Sequence, residues 1–259
     1  MGLDMFQFDL LRNQPGLLHA IFGRTGGVSR PPFASLNVGA DVGDEPESIR
    51  QNYRLICEAL GLRQEDLVTV RQVHSNRVAR VTANDRGRIV GQLDGMVTDA
   101  PHLPLMLRFA DCVPIIIYDP KRAVLGVAHA GWRGTVHRIA EQLVRTMREG
   151  YGCHPADLLA GIGPSIGACC YPVGPEVIRA ALDAFGAGAR DSQGHALLVS
   201  RDGMIQLDLW AANRLLLERA GVEQIETAGL CTCCHRERFF SHRGDGGRTG
   251  RFPMVAMLR

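Results

Sequence analysis

The length, composition and charge of the chain predict an ordinary folded protein and exclude several functional classes. With 259 residues and 46% hydrophobic side chains, the chain can bury a sizeable core. Its formal net charge of +2 is too small for a general binder of polyanions, and no block of like charges forms a basic tail. We therefore expect no nucleic-acid partner.

The N-terminal sequence gives no sign of export or membrane insertion. It reads MGLDMFQFDL, with an early aspartate and no basic start before an apolar stretch. No later run approaches the length of a membrane span. We expect a cytoplasmic protein without a membrane partner and, since nothing indicates an obligate assembly, a monomer. The eight cysteines should then be thiols, metal ligands or small core residues rather than disulfides.

Hydrophobic periodicity predicts helices and strands along the chain. The first amphipathic helix is indicated by the spacing of Ile49, Tyr53, Ile56 and Leu60. Apolar, β-branched runs predict strands, several buried on both faces, at 67–73, 104–109, 113–118 and 123–128. The sequence DPKR at 119–122 is the predicted turn between the last two. Helical spacing recurs from near Val136 to Met147 and from Val177 to Phe185.

The order of these elements indicates the fold class. Strands and helices are mixed without strict βαβ alternation, and no GxGxxG follows a strand, which disfavours a dinucleotide-binding fold. No repeat or linker divides the chain. We therefore predict an α/β fold of the mixed, α+β type: one domain over residues 1–259, with layered mixed β-sheets flanked by helices.

A thiol and two imidazoles are predicted to meet at one end of the sheet. Cys112 stands just before the run VPIIIY, and His129 just after the run AVLGVA. If these runs form a hairpin, both residues lie at the same end of it, because the strands are antiparallel. His74, in RQVHSNR, closes a third strand-like run before a polar loop. These three residues are therefore candidate ligands of one metal ion.

Two histidines, one cysteine and an open fourth position form a known catalytic zinc arrangement, in which bound water has a pKa of about 7. The spacing leaves other interpretations open. The residues could be a buried cysteine and two hydrogen-bonded core histidines. Cys112 could instead be the nucleophile, and His129 its base, of a metal-free cysteine hydrolase or deamidase that does not need His74. A non-catalytic metal-binding or interaction protein is a third alternative.

Arginines near these residues predict an anion site. The segment AGWRGT places Arg133 and the backbone N–H groups of a helix start beside the candidate metal site. Arg24 lies in the glycine-rich segment FGRTGGVS, and Arg243, Arg248 and Arg251 follow near the C-terminus. A flexible loop and a solvated basic tail are the alternative interpretations of these last two segments.

Several motifs together resemble those of the YfiH-type family, whose members are described as laccase-domain proteins, polyphenol oxidoreductases or purine nucleoside phosphorylases. The matching segments, in chain order, are HAIFGRTGGVS, SLNVG, RQVHSNRV, DGMVTD, ADCVPI, VAHAGWRGT, GPSIGACCYPVG and FFSHRGDGGRTGR. They run from His19 to near the end of the chain. The resemblance implies a YfiH and CNF-like fold, in which layered sheets pack with helices outside them.

The resemblance also implies roles for matching residues. The implied metal ligands and catalytic residues are the histidine of QVH, the cysteine of ADC and the histidine of HAGWRG, which here are His74, Cys112 and His129. Candidate contacts to substrate or phosphate within the matching motifs are Arg24, Asn37, Arg133 and Arg243. The implied cofactor is zinc, and copper could occupy the same site because affinity for nitrogen and sulfur ligands is higher for copper.

The implied substrates are purine nucleosides and phosphate. Adenosine, inosine and methylthioadenosine would be cleaved by phosphorolysis to the free base and (methylthio)ribose 1-phosphate, and adenosine would also be deaminated. A laccase is disfavoured because a multicopper oxidase needs many histidines in close pairs, whereas the nine histidines here include no HxH pair. A copper-loaded polyphenol oxidase remains an alternative.

Three features are not assigned by the resemblance. The family usually has SYRRD where this chain has SHRGD at 241–245, so the role of a second arginine there is not carried over. Asp111 is the nearest candidate proton shuttle for deamination, although strand geometry would turn its side chain away from that of Cys112. The segment CTCCHRE, which begins at Cys231, is too tightly spaced for a usual zinc knuckle. Cys169 and Cys170 could join it in a second structural metal site, but ordinary buried thiols are the favoured interpretation.

Overall fold

The computed structural model describes residues 2–259, in which the regular elements are six α-helices and fourteen β-strands. The helices are α1 (Asp9–Arg12), α2 (Pro46–Leu60), α3 (Trp132–Val136), α4 (Ile139–Tyr151), α5 (Pro175–Phe185) and α6 (Leu209–Arg219). The strands are β1 (Met5–Phe6), β2 (Leu17–Phe22), β3 (Thr69–Arg71), β4 (Val78–Arg80), β5 (Ile89–Gln92), β6 (Gly95–Thr98), β7 (Leu105–Phe109), β8 (Val113–Asp119), β9 (Val124–Ala130), β10 (Leu159–Ile162), β11 (Leu198–Arg201), β12 (Met204–Leu207), β13 (Gln224–Thr227) and β14 (Phe252–Leu258).

Two large sheets contain most of the strands. The first has six strands in the order β13, β10, β8, β9, β6, β4; its two outermost pairs are parallel and its inner pairs antiparallel. The second has four antiparallel strands in the order β1, β2, β14, β7. Two small sheets pair β3 with β5 and β11 with β12. The mixed sheet expected from the irregular order of elements is confirmed.

Both faces of the six-stranded sheet are buried, as its continuous apolar runs predict. In β8, Val113 and Ile115 pack into a core with residues of α4 and α6, whereas Ile116 and Tyr118 pack toward the four-stranded sheet. Successive side chains of a strand point to opposite faces, so an uninterrupted apolar run fills two cores at once. The hydrophobic effect of both cores therefore fixes this strand.

The four-stranded sheet is also covered on both sides. In β7, Leu105 and Leu107 face the six-stranded sheet, while Met106 faces outward and packs with Ile56 and Cys57 of α2. The layers therefore follow the order α2, four-stranded sheet, six-stranded sheet, and then α4 with α6. The prediction of layered mixed sheets flanked by helices is confirmed.

The β8–β9 hairpin is present in the predicted position. Its register pairs Val113 with Ala130 and Pro114 with His129. At the turn, Oδ1 of Asp119 accepts hydrogen bonds from the backbone N–H groups of Lys121 (2.9 Å) and Arg122 (3.1 Å). This local closure by an aspartate side chain is the chemistry that the sequence DPKR predicts.

Two predicted boundaries are wrong. The strand expected at 67–73 is limited to Thr69–Arg71, because the backbone N–H groups of residues 73–75 bond instead to the carboxylate of Asp94. The helix expected from near Val136 begins earlier, at Trp132. It is then broken by Arg138, whose left-handed φ of 63° separates α3 from α4.

Within residues 2–259, no helix combines the length and apolar character that a membrane crossing requires. All eight cysteines are free of disulfide bonds. The extent of the domain, residues 1–259, stays a prediction.

Candidate active site and metal centre

Three side chains with metal-binding atoms converge at one end of the β8–β9 hairpin. His129 lies near the end of β9, Cys112 directly precedes β8, and His74 lies in the loop after β3. Their donor atoms all lie within 4.8 Å of one another. His129 is buried, Cys112 is partly buried and His74 is exposed, so the cluster opens toward solvent on one side. The structure thus brings together the three residues singled out from the sequence.

The carboxylate of Asp94 positions two of these three residues. It is fully buried, and its Oδ1 lies 2.9 Å from Nδ1 of His129. It also accepts backbone N–H groups from Val73 (3.3 Å), His74 (3.0 Å) and Ser75 (2.6 Å). His74 itself has a left-handed φ of 60°. A single carboxylate therefore fixes both the ring of His129 and the loop that presents His74.

Ionisation of the cluster follows from its close contacts. Burial raises the pKa of Cys112, but the charges and hydrogen bonds of His129 and His74 outweigh it and lower that pKa to about 6. Burial lowers the pKa of His129, but Cys112 and Asp94 outweigh it and raise that pKa to about 9. Burial also raises the pKa of Asp94, yet the hydrogen bonds from His129 and Ser75 hold it below its usual value. Without a metal, the site therefore favours a thiolate beside an imidazolium.

The donor set fits a metal ion. Since Nδ1 of His129 is engaged by Asp94, its Nε2 is the nitrogen left for a ligand, and a carboxylate on the other ring nitrogen is the usual partner of a metal-bound histidine. Thiolate and imidazole donors suit zinc and also copper. Metal binding would replace the proton that His129 otherwise holds.

The cluster has no spare volume around Gly131. A Cβ atom at this position would lie 2.9 Å from Sγ of Cys112 and 2.9 Å from Cδ2 of His74. Gly131 has a φ of −75°, which any residue can adopt, so the requirement for glycine here is steric. The chain between β9 and α3 can approach the two ligands closely only because it lacks a side chain.

A cavity of about 500 Å³ opens in front of the three donors. Besides the donors, its wall includes Trp132 and Tyr171. Five arginines also line it, namely Arg71, Arg108, Arg133, Arg243 and Arg251. Asp41 and Asp111 are its only carboxylate residues among the described part of the chain, so the wall carries an excess of positive charge. Such a cavity suits an anionic ligand that carries a ring.

Two of the predicted substrate contacts lie in this wall. The guanidinium of Arg133 is 4.4 Å from the ring centre of Trp132 and 3.8 Å from an exposed carboxylate oxygen of Glu176. The guanidinium of Arg243 is 5.2 Å from the ring centre of Tyr171. Exposed ion pairs bind weakly, so Arg133 can exchange its carboxylate partner for a ligand. Both residues stay candidates for binding an anion.

Arg24, also predicted to bind substrate, does not line the cavity. Its Nε donates to the carbonyl of Ala34 (2.9 Å), and its Nη1 donates to the carbonyl of Arg236 (2.9 Å). The same guanidinium pairs with Asp245 at 3.5 Å and lies 4.5 Å from the ring centre of Phe240. These contacts tie the N-terminal loop to the C-terminal segment. Arg24 therefore lies in a bracing position outside the wall, and its contact to substrate stays a prediction.

Asn37 likewise lies behind the wall. It is fully buried, and its Oδ1 accepts the backbone N–H groups of Gly39 (2.8 Å) and Arg251 (2.8 Å), both of which line the cavity. Its Nδ2 donates to Asp44 at 2.8 Å. Asn37 therefore supports two residues of the wall and does not line the cavity itself, and its role in substrate binding stays a prediction.

Asp111 is held by hydrogen bonds to the C-terminal segment. Its Oδ1 accepts the hydroxyls of Thr232 and Ser241, both at 2.7 Å, and its Oδ2 accepts the backbone N–H of Arg243 at 2.6 Å. Both carboxylate oxygens are thus occupied. Asp111, the candidate proton shuttle, therefore anchors the loop that carries Arg243.

The departure from SYRRD has a visible structural consequence. His242 lines the cavity at the position of the family's tyrosine. At Gly244, a Cβ atom would lie 2.6 Å from Cδ of Arg236, and Nη1 of Arg236 donates to the carbonyl of Gly244 at 2.9 Å. The side chain of Arg236 thus covers the place where an arginine at 244 would begin.

Several residues of the wall were not found from the sequence. Arg71 and Arg108 belong to β3 and β7, and a strand pattern does not tell which residue reaches a cavity. The sequence places Arg251 only in a basic segment near the C-terminus. In the structure it lines the cavity, and burial lowers its pKa. Tyr171, whose pKa burial and the nearby Cys112 raise to about 12, gave no signal beyond its place in GPSIGACCYPVG.

Comparison with known proteins identifies the family. A family model described as multi-copper polyphenol oxidoreductase laccase matches residues 18–259. The chain belongs to this family. The resemblance to YfiH-type proteins is thereby confirmed.

Individual members of the family agree with this assignment. Purine nucleoside phosphorylase YlmD of Bacillus subtilis is 38% identical over 257 residues, covering 93% of this chain and 88% of the relative. The crystal structure of YlmD from Geobacillus stearothermophilus has a TM-score of 0.92 at 35% identity, covering 100% of this chain and 97% of the other. The crystal structure of the hypothetical protein YfiH from Bacillus licheniformis has a TM-score of 0.89 at 38% identity, covering 95% of this chain and 94% of the other. The family description thus names an oxidoreductase, whereas the curated relative is named a phosphorylase.

Proposed function

We propose that this protein is a zinc-dependent purine nucleoside phosphorylase. It would cleave adenosine, inosine and methylthioadenosine to the free base and (methylthio)ribose 1-phosphate, and it would also deaminate adenosine. The observation that carries the proposal is one cavity lined both by the donors His74, Cys112 and His129 and by five arginines. Its volume of about 500 Å³ is typical of a small-molecule site. The name of the Bacillus subtilis relative supports the reaction class.

The arginines of the wall are the groups that would bind phosphate. Arg133 and Arg243 present guanidinium groups beside aromatic rings, and guanidinium binds phosphate oxygens in a bidentate manner. In phosphorolysis, an oxygen of the bound phosphate attacks C1′ of the ribose while the C1′–N bond breaks. The purine leaves with the bonding electrons and takes up a proton. Positioning of phosphate by the arginines is the main contribution of these residues.

His74, Cys112 and His129 would hold the zinc ion. When bound, zinc supplies Lewis acidity and brings the pKa of a coordinated water close to neutrality. In deamination, water adds to C6 of adenine and ammonia leaves, so a proton must pass from the water to the amino group. Tyr171 keeps its proton because its pKa is raised to about 12.

The residues available to move that proton are few. Asp111 already accepts three hydrogen bonds from the C-terminal segment. Asp111 and the protonated Tyr171 are thereby set aside, together with the metal donors and the arginines. The titratable residues of the wall that remain are Asp41 and His242. We assign proton transfer in deamination to one of these two side chains.

Two alternative functions have a specific observation in their favour. The thiolate favoured at Cys112 beside a protonated His129 is what a metal-free cysteine hydrolase or deamidase would use. The family description favours a polyphenol oxidase, and the same three donors would accept copper. His74 distinguishes the first alternative, because a cysteine–histidine dyad does not require it.

The deciding experiment measures metal content and adenosine turnover in the parent and in His74→Ala. Products are resolved by chromatography with and without phosphate. We expect His74→Ala to lose one equivalent of zinc, together with phosphate-dependent formation of adenine and formation of inosine. The matched control is His154→Ala, since His154 is exposed and does not line the cavity.

Each alternative gives a different result. A parent protein that holds no zinc at these three donors, and whose His74→Ala variant behaves identically, would reject the zinc enzyme in favour of the cysteine hydrolase. Copper in the purified protein, with oxidation of phenols and no cleavage of nucleosides, would identify the oxidase.

The proposal includes the setting of the enzyme. The proposed enzyme is a monomer that acts on purine nucleosides and phosphate. The eight unbridged cysteines support a reducing compartment, the cytoplasm. Neither nucleic acid nor membrane is proposed as a partner. Sedimentation of the purified protein as a dimer would contradict the monomer.

A further inference from the structure

Four cysteines form a second cluster outside the cavity wall. Cys169 and Cys170 lie in a short 3₁₀ turn after β10, and Cys231 and Cys234 lie in the segment after β13. Their four Sγ atoms lie within 4.8 Å of one another. Cys231 and Cys234 are spaced as Cys-x-x-Cys, one half of a usual zinc motif, whereas Cys169 and Cys170 are adjacent in the chain. Folding brings the two pairs together.

The distances suit a tetrahedron of sulfur ligands around one ion. A zinc–sulfur bond is about 2.3 Å, so the edge of a regular tetrathiolate tetrahedron is about 3.8 Å. Sγ of Cys234 is 3.6 Å from that of Cys169 and 3.4 Å from that of Cys170. A disulfide would instead require about 2.05 Å. The distances therefore lie near those of a tetrathiolate site and well above that of a disulfide.

The backbone holds the two segments together without help from the sulfurs. Ser165 forms a parallel bridge with Cys231, and the N–H of Thr232 donates to the carbonyl of Ser165 at 3.0 Å. The N–H of Gly167 points at Sγ of Cys231, 3.3 Å away. Backbone N–H donors of this kind stabilise a thiolate, as the groups around a metal site do. The cluster is therefore preorganised.

Three of the four thiols have shifted pKa values in the absence of a cation. Burial and the neighbouring sulfurs raise the pKa of Cys169 to about 12 and raise that of Cys170 further. Burial also raises the pKa of Cys231, but N–H groups of Gly167 and Cys234 and the adjacent thiols bring it below its usual value.

We propose that Cys169, Cys170, Cys231 and Cys234 bind one zinc ion as four thiolates, forming a closed structural site separate from the catalytic one. Binding displaces four thiol protons and involves no redox change. Four protein ligands leave no position for substrate, as in other structural zinc sites. The proposal does not depend on the reaction that the cavity catalyses.

The ion would fasten two walls of the cavity to each other. Tyr171, which lines the cavity, directly follows the ligand Cys170. Thr232, which directly follows the ligand Cys231, donates its hydroxyl to Asp111, the neighbour of Cys112. The structural site is thus connected to the cavity wall through Tyr171, and to the donor Cys112 through Thr232 and Asp111.

The test uses full-length protein purified under anaerobic, reducing conditions. Zinc per chain is measured in the parent, in His74→Ala, in Cys170→Ser/Cys234→Ser and in Cys233→Ser. Cys233 is the matched control because it lies between two ligands in the chain but is not part of the cluster. We expect the double variant to lose one equivalent, Cys233→Ser to match the parent, and His74→Ala to retain the equivalent that the double variant loses.

A second measurement does not depend on mutating the cluster. His74→Ala protein, with all four cysteines intact, is stripped of metal and reloaded with cobalt(II). We expect the intense visible absorption of a tetrahedral cobalt tetrathiolate, and its absence in the double variant. Failure to bind cobalt in this form would overturn the proposal, as would a mass loss of two hydrogens from a disulfide within the cluster. Loss of nucleoside cleavage in His74→Ala, with the tetrathiolate spectrum retained, would show that the catalytic site and the structural site are independent.

Discussion

The Oδ1 atom of Asp94 lies 2.9 Å from Nδ1 of His129 and 3.0 Å from the backbone N of His74. One buried carboxylate therefore connects the two imidazole donors of the metal site, although they come from different parts of the chain. Its position explains how an exposed loop histidine can be presented accurately beside a strand residue. The arrangement is that of a carboxylate supporting a metal-bound histidine.

Replacement of this carboxylate should weaken the metal site without removing a ligand. In Asp94→Asn, one carboxylate oxygen becomes an NH₂ group that faces N–H donors instead of accepting them. We expect the zinc affinity of the three-donor site to fall about 10- to 100-fold, measured by competition with a chelator. Asp99→Asn, at an exposed aspartate, is the control. Equal affinities in the two variants would show that Asp94 does not support the site.

A methyl group at Gly131 should displace two ligands at once. The Cβ atom of Gly131→Ala would stand 2.9 Å from Sγ of Cys112 and from Cδ2 of His74. We expect zinc affinity and adenosine turnover to fall by about tenfold or more, since small misplacements at a site are costly. The matched control is Gly174→Ala: Gly174 precedes α5 with similar dihedral angles and has no atom within 4 Å of its added Cβ. If both variants retain full zinc affinity, the packing described around Gly131 is incorrect.

Arginines inside and outside the cavity should differ in their effect on phosphate binding. Arg133→Ala and Arg243→Ala each remove a guanidinium from the wall, and we expect the KM for phosphate to rise about tenfold, the value of one charge-assisted hydrogen bond. Arg24→Ala removes a brace outside the wall, so we expect a lower thermal midpoint with an unchanged KM for phosphate. Initial rates at varied phosphate concentration test this contrast. A raised KM in Arg24→Ala alone would restore the direct contact predicted from the sequence.

Stability should fall in mild acid because His19 is buried in its neutral form. Burial lowers its pKa from 6.5 to about 4, its Nε2 accepts the N–H of Phe8 at 3.0 Å, and its Nδ1 has no hydrogen-bond partner. The unfolded chain gains a proton as the pH falls below 6.5 while the folded chain does not, so this stabilisation is present above that pH and is lost on the way to about 4.

The loss can be measured against a variant that does not titrate. Between about pH 7.5 and pH 5 the expected cost from this residue is about 2 kcal/mol. His19→Gln keeps an acceptor for Phe8, so its free energy of unfolding should fall less over the same range than that of the parent. Exposed His137 provides the control His137→Gln. Identical pH dependence in all three proteins would show that His19 is not responsible.

The metal donors could be located from the sequence because the information is local. Cys112 and His129 flank a hairpin whose strands and turn are each recognisable from a few neighbouring residues. Asp94 was missed because its partners His74 and His129 lie 20 and 35 residues away in the chain. A buried aspartate before a glycine predicts a turn as readily as a carboxylate that supports two ligands.

By contrast, the sequence alone could not show which arginines line the cavity. A glycine-rich loop made Arg24 a plausible anion contact, but three acceptors and an aromatic ring hold it elsewhere. Arg71 and Arg108 lie on strands, where the alternation of side chains is visible but the position of a cavity is not. Which cation reaches a site depends on tertiary contacts that no single segment contains.

The pairing of β2 with β14 has a consequence for folding. Leu17 pairs with Leu258 and Ile21 with Met254, so contacts that span almost the entire chain hold the centre of the four-stranded sheet. Contacts of such high contact order close slowly, since the entropy of a long loop must be lost first. Arg251, just before β14, forms part of the cavity wall. A molecule that transiently loses this pairing keeps its β8–β9 hairpin but lacks one side of the cavity, so we expect catalytic competence to be the last property gained in refolding and the first lost in partial unfolding.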